Sequence, residues 1–61
     1  MAGEVRIYVY EPVVEGNTYL FEVHDRFQIK EIERKVYYDK NDGLYINYKG
    51  KRYYEYEFIY P

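Results

Sequence analysis

Residues 45–60 read YINYKGKRYYEYEFIY, and six of these sixteen residues are tyrosine. Which of the rings are buried depends on how the chain turns at Lys49-Gly50. Side chains alternate between the two faces of a strand, so changing a loop by one residue sends every following side chain to the opposite side. A two-residue Lys49-Gly50 loop sets Ile46 opposite Tyr53 and leaves Tyr54, Tyr56 and Phe58 facing solvent. A three-residue Tyr48-Lys49-Gly50 loop sets Leu44 opposite Tyr54 and gathers Tyr54, Tyr56, Phe58 and Tyr60 on the apolar side. The longer loop keeps Phe58 in the core and puts glycine at the third loop position, where a left-handed backbone carries no steric cost for it. The sequence therefore predicts the three-residue loop.

The same loop chemistry recurs upstream. Val14-Glu15-Gly16 and Asn41-Asp42-Gly43 also end in glycine. A three-residue loop at Gly16 sets Val9 opposite Phe21 and Ile7 opposite Val23, and one at Gly43 sets Tyr38 opposite Ile46 and Val36 opposite Tyr48. Five stretches rich in Val, Ile, Tyr and Phe read as strands, 4–13, 17–24, about 29–40, 44–47 and 51–60. The expected fold is all-β, a five-stranded antiparallel meander curled into a small partly open barrel of the SH3-like or OB-like kind. Every glycine after Gly3 sits at a turn and none inside a strand, so a flatter sheet that buries its second face in a dimer is the alternative.

The join at residues 24–28 is the least defined. Asp25 is placed to cap a short helix whose apolar face is Ile29, Ile32 and Val36, or the run is a bulged strand that brings Ile29 and Ile32 to one face. The β-rich neighbours favour the strand, and 25–35 stays open between the two.

With that register, Tyr38, Tyr48, Tyr54, Tyr56 and Tyr60 share the core side with Val36, Leu44, Ile46 and Phe58. Tyr37, Tyr45 and Tyr53 remain on the other face, Tyr45 opposite Tyr53 and Tyr37 diagonal to Tyr45, with Lys35, Asn47 and Lys51 around them. These six form the candidate binding site. Tyrosine surfaces favour protein contacts because a rigid ring gives contact area at low entropy cost. Rings beside lysines also suit single-stranded nucleic acid, with Arg34 and Arg52 as further cations, although Glu33, Asp39, Glu55 and Glu57 repel a phosphate backbone. Ordinary cross-strand tyrosine pairs, worth about 0.2–1 kcal/mol each, explain the same trio without a ligand.

Sixty-one residues fit one small β domain, 1–61, that hides only about 60% of its unfolded surface. Cysteine is absent and histidine occurs once, so neither disulfides nor a zinc site is expected to brace it, and packing or self-association must do so. No cofactor is expected. A chain without cysteine suits a reducing cytosol, the start Met1-Ala2-Gly3-Glu4-Val5 shows no leader, and no apolar run nears the ~20 residues of a membrane helix. A soluble, cytoplasmic protein without membrane contact is the expectation for a natural chain. Net charge is −2, which argues against a protein devoted to neutralising phosphates, but it is divided: residues 1–25 sum to −4, 26–52 to +4 and the tail to −2.

No catalytic signature appears. His24 and Asp25 are adjacent and point to opposite faces of a strand, and no Ser or Cys is present for activation. Asp39–Gly43 lacks the glycine and acid positions of a calcium loop, and Glu55 with Glu57 read as solvent-facing charges. The expected function is a non-enzymatic module that uses an aromatic surface for protein contacts or self-association. The alternatives are a designed scaffold without evolved activity, suggested by the repeated loop type, and single-stranded nucleic-acid binding.

Overall fold

A computed structural model describes residues 4–61, so the reading of Met1–Gly3 lies outside the described residues. The described residues are mostly β and include no α-helix. Its strands are β1 (Arg6–Tyr8), β2 (Thr18–His24), β3 (Ile29–Lys35), β4 (Tyr37–Asp39), β5 (Gly43–Tyr48), β6 (Lys51–Tyr54) and β7 (Phe58–Ile59), with a 3-10 turn, Glu55–Glu57, between the last two. They form two open sheets, ordered β3-β2-β1-β7 and β4-β5-β6. The five-stranded antiparallel meander is therefore not observed. Two of the expected strands are each broken in two, and β1 pairs with β7 in parallel.

The first break falls at Val36. Residues 29–40 run as β3 in one sheet, then pass to β4 in the other. Val36 is fully buried at the crossing, donates its N–H to Asn17 O at 2.9 Å and accepts from Gly16 N–H at 2.8 Å. Gly16 supplies the backbone for this contact, since it sits at φ +90 in a turn closed by Asn17 N–H to Val14 O at 3.3 Å. The predicted Ile7–Val23 pair is present, but ladder pairing of β1 with β2 ends at Tyr8 and Glu22. Val9 N–H is taken instead by Ile59 O at 3.1 Å, and Pro12 has no N–H with which to extend the strand.

The join at 24–28 is a hairpin turn. Asp25 Oδ1 accepts from the amides of Phe27 and Gln28, both at 2.8 Å, and Asp25 N–H donates to Gln28 O at 3.0 Å. Asp25 thus does what a helix cap does, for a turn that leads into a strand. β3 is regular, with Phe21 facing Ile32 and His24 facing Ile29, so Ile32 is buried and Ile29 points outward. The bulge that was to bring both to one face is absent.

The second break corrects the reading of 45–60. Lys49 and Gly50 both have positive φ, +50 and +75, as a two-residue type I′ hairpin turn requires, and Tyr48 pairs with Lys51. Ile46 consequently faces Tyr53, and Tyr53 is buried at 8% exposure while Tyr56 is 73% exposed. An unbroken strand from 51 to 60 favours the longer loop, because it keeps Tyr54, Tyr56 and Phe58 on one side. The 3-10 turn removes that constraint by ending the alternation after Tyr54. Glu57 Oε2 accepts the Tyr54 N–H at 3.1 Å and the Phe58 N–H closes on Glu55 O, so Tyr53 and Phe58, five residues apart, both reach the core. At Gly43 the pairing slides by two residues, Tyr38 facing Leu44 instead of Ile46, which preserves the faces. Even so Tyr38 lies on an edge strand and is exposed, as is Tyr60.

The core between the sheets is Ile7, Val9, Val13, Phe21, Val23, Ile32, Val36, Ile46, Tyr48, Tyr53 and Phe58, with Val5, Tyr19 and Leu44 packed on its margin. Each of the larger buried chains contributes about 1.5–3 kcal/mol relative to exposure. Phe21 and Phe58, ring centroids 5.3 Å apart, join the two halves of the first sheet across its inner side.

Candidate functional site

The outer face of β4-β5-β6 carries the odd-numbered residues of β4 and β5 and the even-numbered residues of β6. Tyr37 faces Tyr45 directly, Tyr45 faces Tyr54, and Asn47 faces Arg52. Four rings follow one another across this surface. Tyr37 and Tyr45 stack with centroids 5.7 Å apart, Tyr45 and Tyr54 lie 5.4 Å apart at 51°, and Tyr54 and Tyr56 are nearly parallel at 5.6 Å and 4°. Such offset aromatic contacts add about 0.5–1.5 kcal/mol beyond area burial. The last rung depends on the 3-10 turn, which lifts Tyr56 over Tyr54 rather than sending it down the strand.

Of the six expected site residues, Tyr37, Tyr45 and Asn47 stand together on this face. Lys35 joins them at its margin, with Nζ 5.9 Å from the Tyr37 ring centre. Tyr53 and Lys51 do not. Tyr53 packs inward against Tyr48 at 6.2 Å, and Lys51 lies over the Tyr53 ring at 4.9 Å on the inner side of the sheet. Tyr45 is therefore opposite Tyr54 rather than Tyr53, and Tyr37 is its direct rather than diagonal neighbour. Sequence reasoning missed Tyr54 and Tyr56. The available signal was Tyr54-Glu-Tyr-Glu57, in which Glu57 stands three residues past Tyr54 and can cap its amide.

Arg52 is the cation at the centre. Its guanidinium carbon lies 4.2 Å from the Tyr45 ring centre, and Nη1 donates to Asp39 Oδ2 at 3.1 Å and to the Tyr54 hydroxyl at 3.3 Å. Asp39 Oδ1 meanwhile accepts the Asn41 amide at 2.8 Å. That amide, then the Asp42 amide and the Arg52 charge, hold the Asp39 carboxyl below its ordinary range. Slight desolvation and the charges of Asp42 and Glu57 push the phenol of the exposed Tyr56 up. The face is thus aromatic and close to charge balance, with its main cation already held by an acid.

Away from this face, His24, Tyr10, Glu55 and Glu57 have structural partners, while the buried Tyr48 hydroxyl has none among the described residues. His24 Nε2 is 2.8 Å from Glu22 Oε1, its ring lies 4.2 Å from Tyr8, and Tyr10 donates to the same Glu22 oxygen at 2.9 Å. These contacts, His24 first, keep the Glu22 carboxyl low. Glu55 Oε2 accepts the Tyr60 hydroxyl at 2.9 Å, and Glu57 serves Tyr54, so the two acids act as turn fasteners rather than as a carboxylate pair. No protein-family model, curated protein or solved structure matches the chain.

Proposed function

We propose that the chain is a non-enzymatic interaction module that contacts another protein, or a second copy of itself, through Tyr37, Tyr45, Tyr54 and Tyr56 with Asn47 and Arg52. The observation that carries this reading is the four-ring row with Arg52 set over Tyr45. Tyrosine and arginine are the residues enriched at protein interfaces, and rings already fixed against one another lose little freedom on binding. Asp39, Asp42 and Glu57 border the row and disfavour a phosphate backbone on this face. A nucleic-acid platform of Tyr37, Tyr45, Tyr53, Lys35 and Lys51 also loses Tyr53 and Lys51 to the inner side of the sheet. The two sheets are read here as walls of a small partly open barrel of the SH3-like or OB-like kind. The passage of 29–40 from one sheet to the other at Val36, and of β6 into β7 through the 3-10 turn, supports that reading.

Sedimentation equilibrium across micromolar to millimolar concentration, together with peptide-display selection, tests the proposal. Self-association, or a selected ligand, is expected to weaken at least tenfold in Tyr56→Ser. A monomer at every concentration that also selects no ligand sensitive to Tyr56→Ser would overturn the reading and leave the scaffold without activity as the better account.

A further inference from the structure

A second surface, at the end of the molecule formed by the Asp25–Gln28 turn and the Lys49-Gly50 turn, has the opposite electrical character. The Tyr48 ring, 4% exposed, lies under three cationic side chains: Lys49 Nζ is 5.5 Å from its centre, Lys30 Nζ 5.7 Å and the Arg34 guanidinium carbon 5.9 Å. Lys30 and Arg34 are half-buried and Lys49 is exposed, the pattern of long cationic side chains laid along apolar surface. Among the described residues the close contacts between basic and acidic side chains are His24–Glu22 and Arg52–Asp39, so none of these three cations is held by an acid. Arg34 gives Nε to Asn47 O at 3.0 Å and Nη1 to Glu33 O at 2.9 Å, which aims the guanidinium without neutralising it. Asp25 is the acid that feels Lys49 and Lys30, but its Oδ1 is committed to the Phe27 and Gln28 amides. Phe27, at the tip of that turn, is 85% exposed with the Arg26 guanidinium 5.3 Å from its ring centre.

We propose that this end binds a single-stranded nucleic acid, with Lys30, Arg34 and Lys49 on its phosphates and Phe27 stacked on a base. Unpaired cations beside an exposed ring are the combination that holds single strands without sequence preference. The chain's net −2 does not oppose this locally, because its positive charge is concentrated in residues 26–52. An anionic bilayer fits less well. Ile29, the other exposed apolar residue near the tip, projects from the opposite side of β3 from Lys30, on the face shared with Glu31 and Glu33. A flat negative surface meeting both Phe27 and Ile29 would meet those acids as well.

The test is fluorescence anisotropy of a labelled oligothymidylate of about 12 nucleotides with the full chain, from about 20 to 200 mM salt. Three phosphate contacts predict that log affinity falls with log salt at a slope of about 2, roughly 0.7 per contact. Lys30→Gln with Lys49→Asn is expected to lose at least tenfold in affinity and to lower the slope to about 0.7. Phe27→Ser should weaken binding without changing the slope, and Lys40→Gln, in the Asp39–Gly43 turn, should change neither. Lys49→Asn alone secures the result if the double variant is unstable, because asparagine accepts the positive φ of that position. No binding at 20 mM salt, equal losses in Lys40→Gln, or binding to phosphatidylserine vesicles in place of the oligonucleotide would overturn the proposal. Loss of oligonucleotide binding in Tyr54→Ser/Tyr56→Ser with retention in the lysine variants would overturn it too, by placing the strand on the tyrosine row.

Discussion

At Lys49 a single backbone angle decides the fate of the rings that follow. Its φ of +50 is costly for a residue with a Cβ, by about 1–2 kcal/mol, and is tolerated because a type I′ turn matches the twist of β5 and β6. Lys49→Asn, which creates the preferred Asn-Gly pair, is expected to raise stability by about 0.5–1 kcal/mol in urea denaturation. Gly50→Ala, at φ +75, is expected to lower it by about 1 kcal/mol. The neighbouring tyrosines should separate by the same logic. Tyr53→Ala empties a packed position and should cost about 3 kcal/mol, whereas Tyr56→Ser removes an exposed ring and its one stacking contact and should cost no more than about 1 kcal/mol. Equal costs at the two positions would mean that the faces are wrongly assigned.

At the scale of elements, what was legible from sequence was whatever local alternation controls. Ile7 against Val23, the inward set of β2 and the faces of the Gly43 hairpin all follow from period-2 patterning and a glycine at positive φ. The two interruptions were not legible, because each is set by a partner distant in sequence. Val36 changes sheets where it bonds to Gly16 and Asn17, and β7 turns to lie parallel to β1, neither of which leaves a Gly or Pro mark at the break. The 3-10 turn has only Glu57 as its mark in the sequence, and an unbroken strand in its place puts Tyr53 in the site and Tyr54 and Tyr56 outside it. Glu57→Ala removes the acceptor of the Tyr54 amide and is expected to cost about 1 kcal/mol, with the Tyr56 ring resonances moving toward random-coil shifts as that ring leaves Tyr54.

For the whole molecule, the charges and phenols fix the pH range of stability. Glu22, Asp25 and Asp39 have folded-state pKa values below their ordinary 4.5, 3.8 and 3.8. Their contribution is complete above those ordinary values and is lost as pH falls through the lowered ones, because the unfolded chain takes up protons first. Melting temperature should therefore hold from neutral pH to about 5 and decline below about 4, less steeply in Asp39→Asn. At the other end, partial desolvation and the Glu55 hydrogen bond push the half-exposed Tyr60 phenol up to about 12, so its phenolate should appear only at the alkaline end of a titration. The same molecule separates two surfaces, a charge-balanced tyrosine row on the second sheet and a cationic end around Tyr48. Both follow from the register of β5 against β6. Cross-strand nuclear Overhauser effects measure that register directly: contacts between the Tyr45 and Tyr54 rings and between Ile46 and Tyr53 are predicted, whereas Tyr45 against Tyr53 with Tyr54 against Leu44 would contradict it.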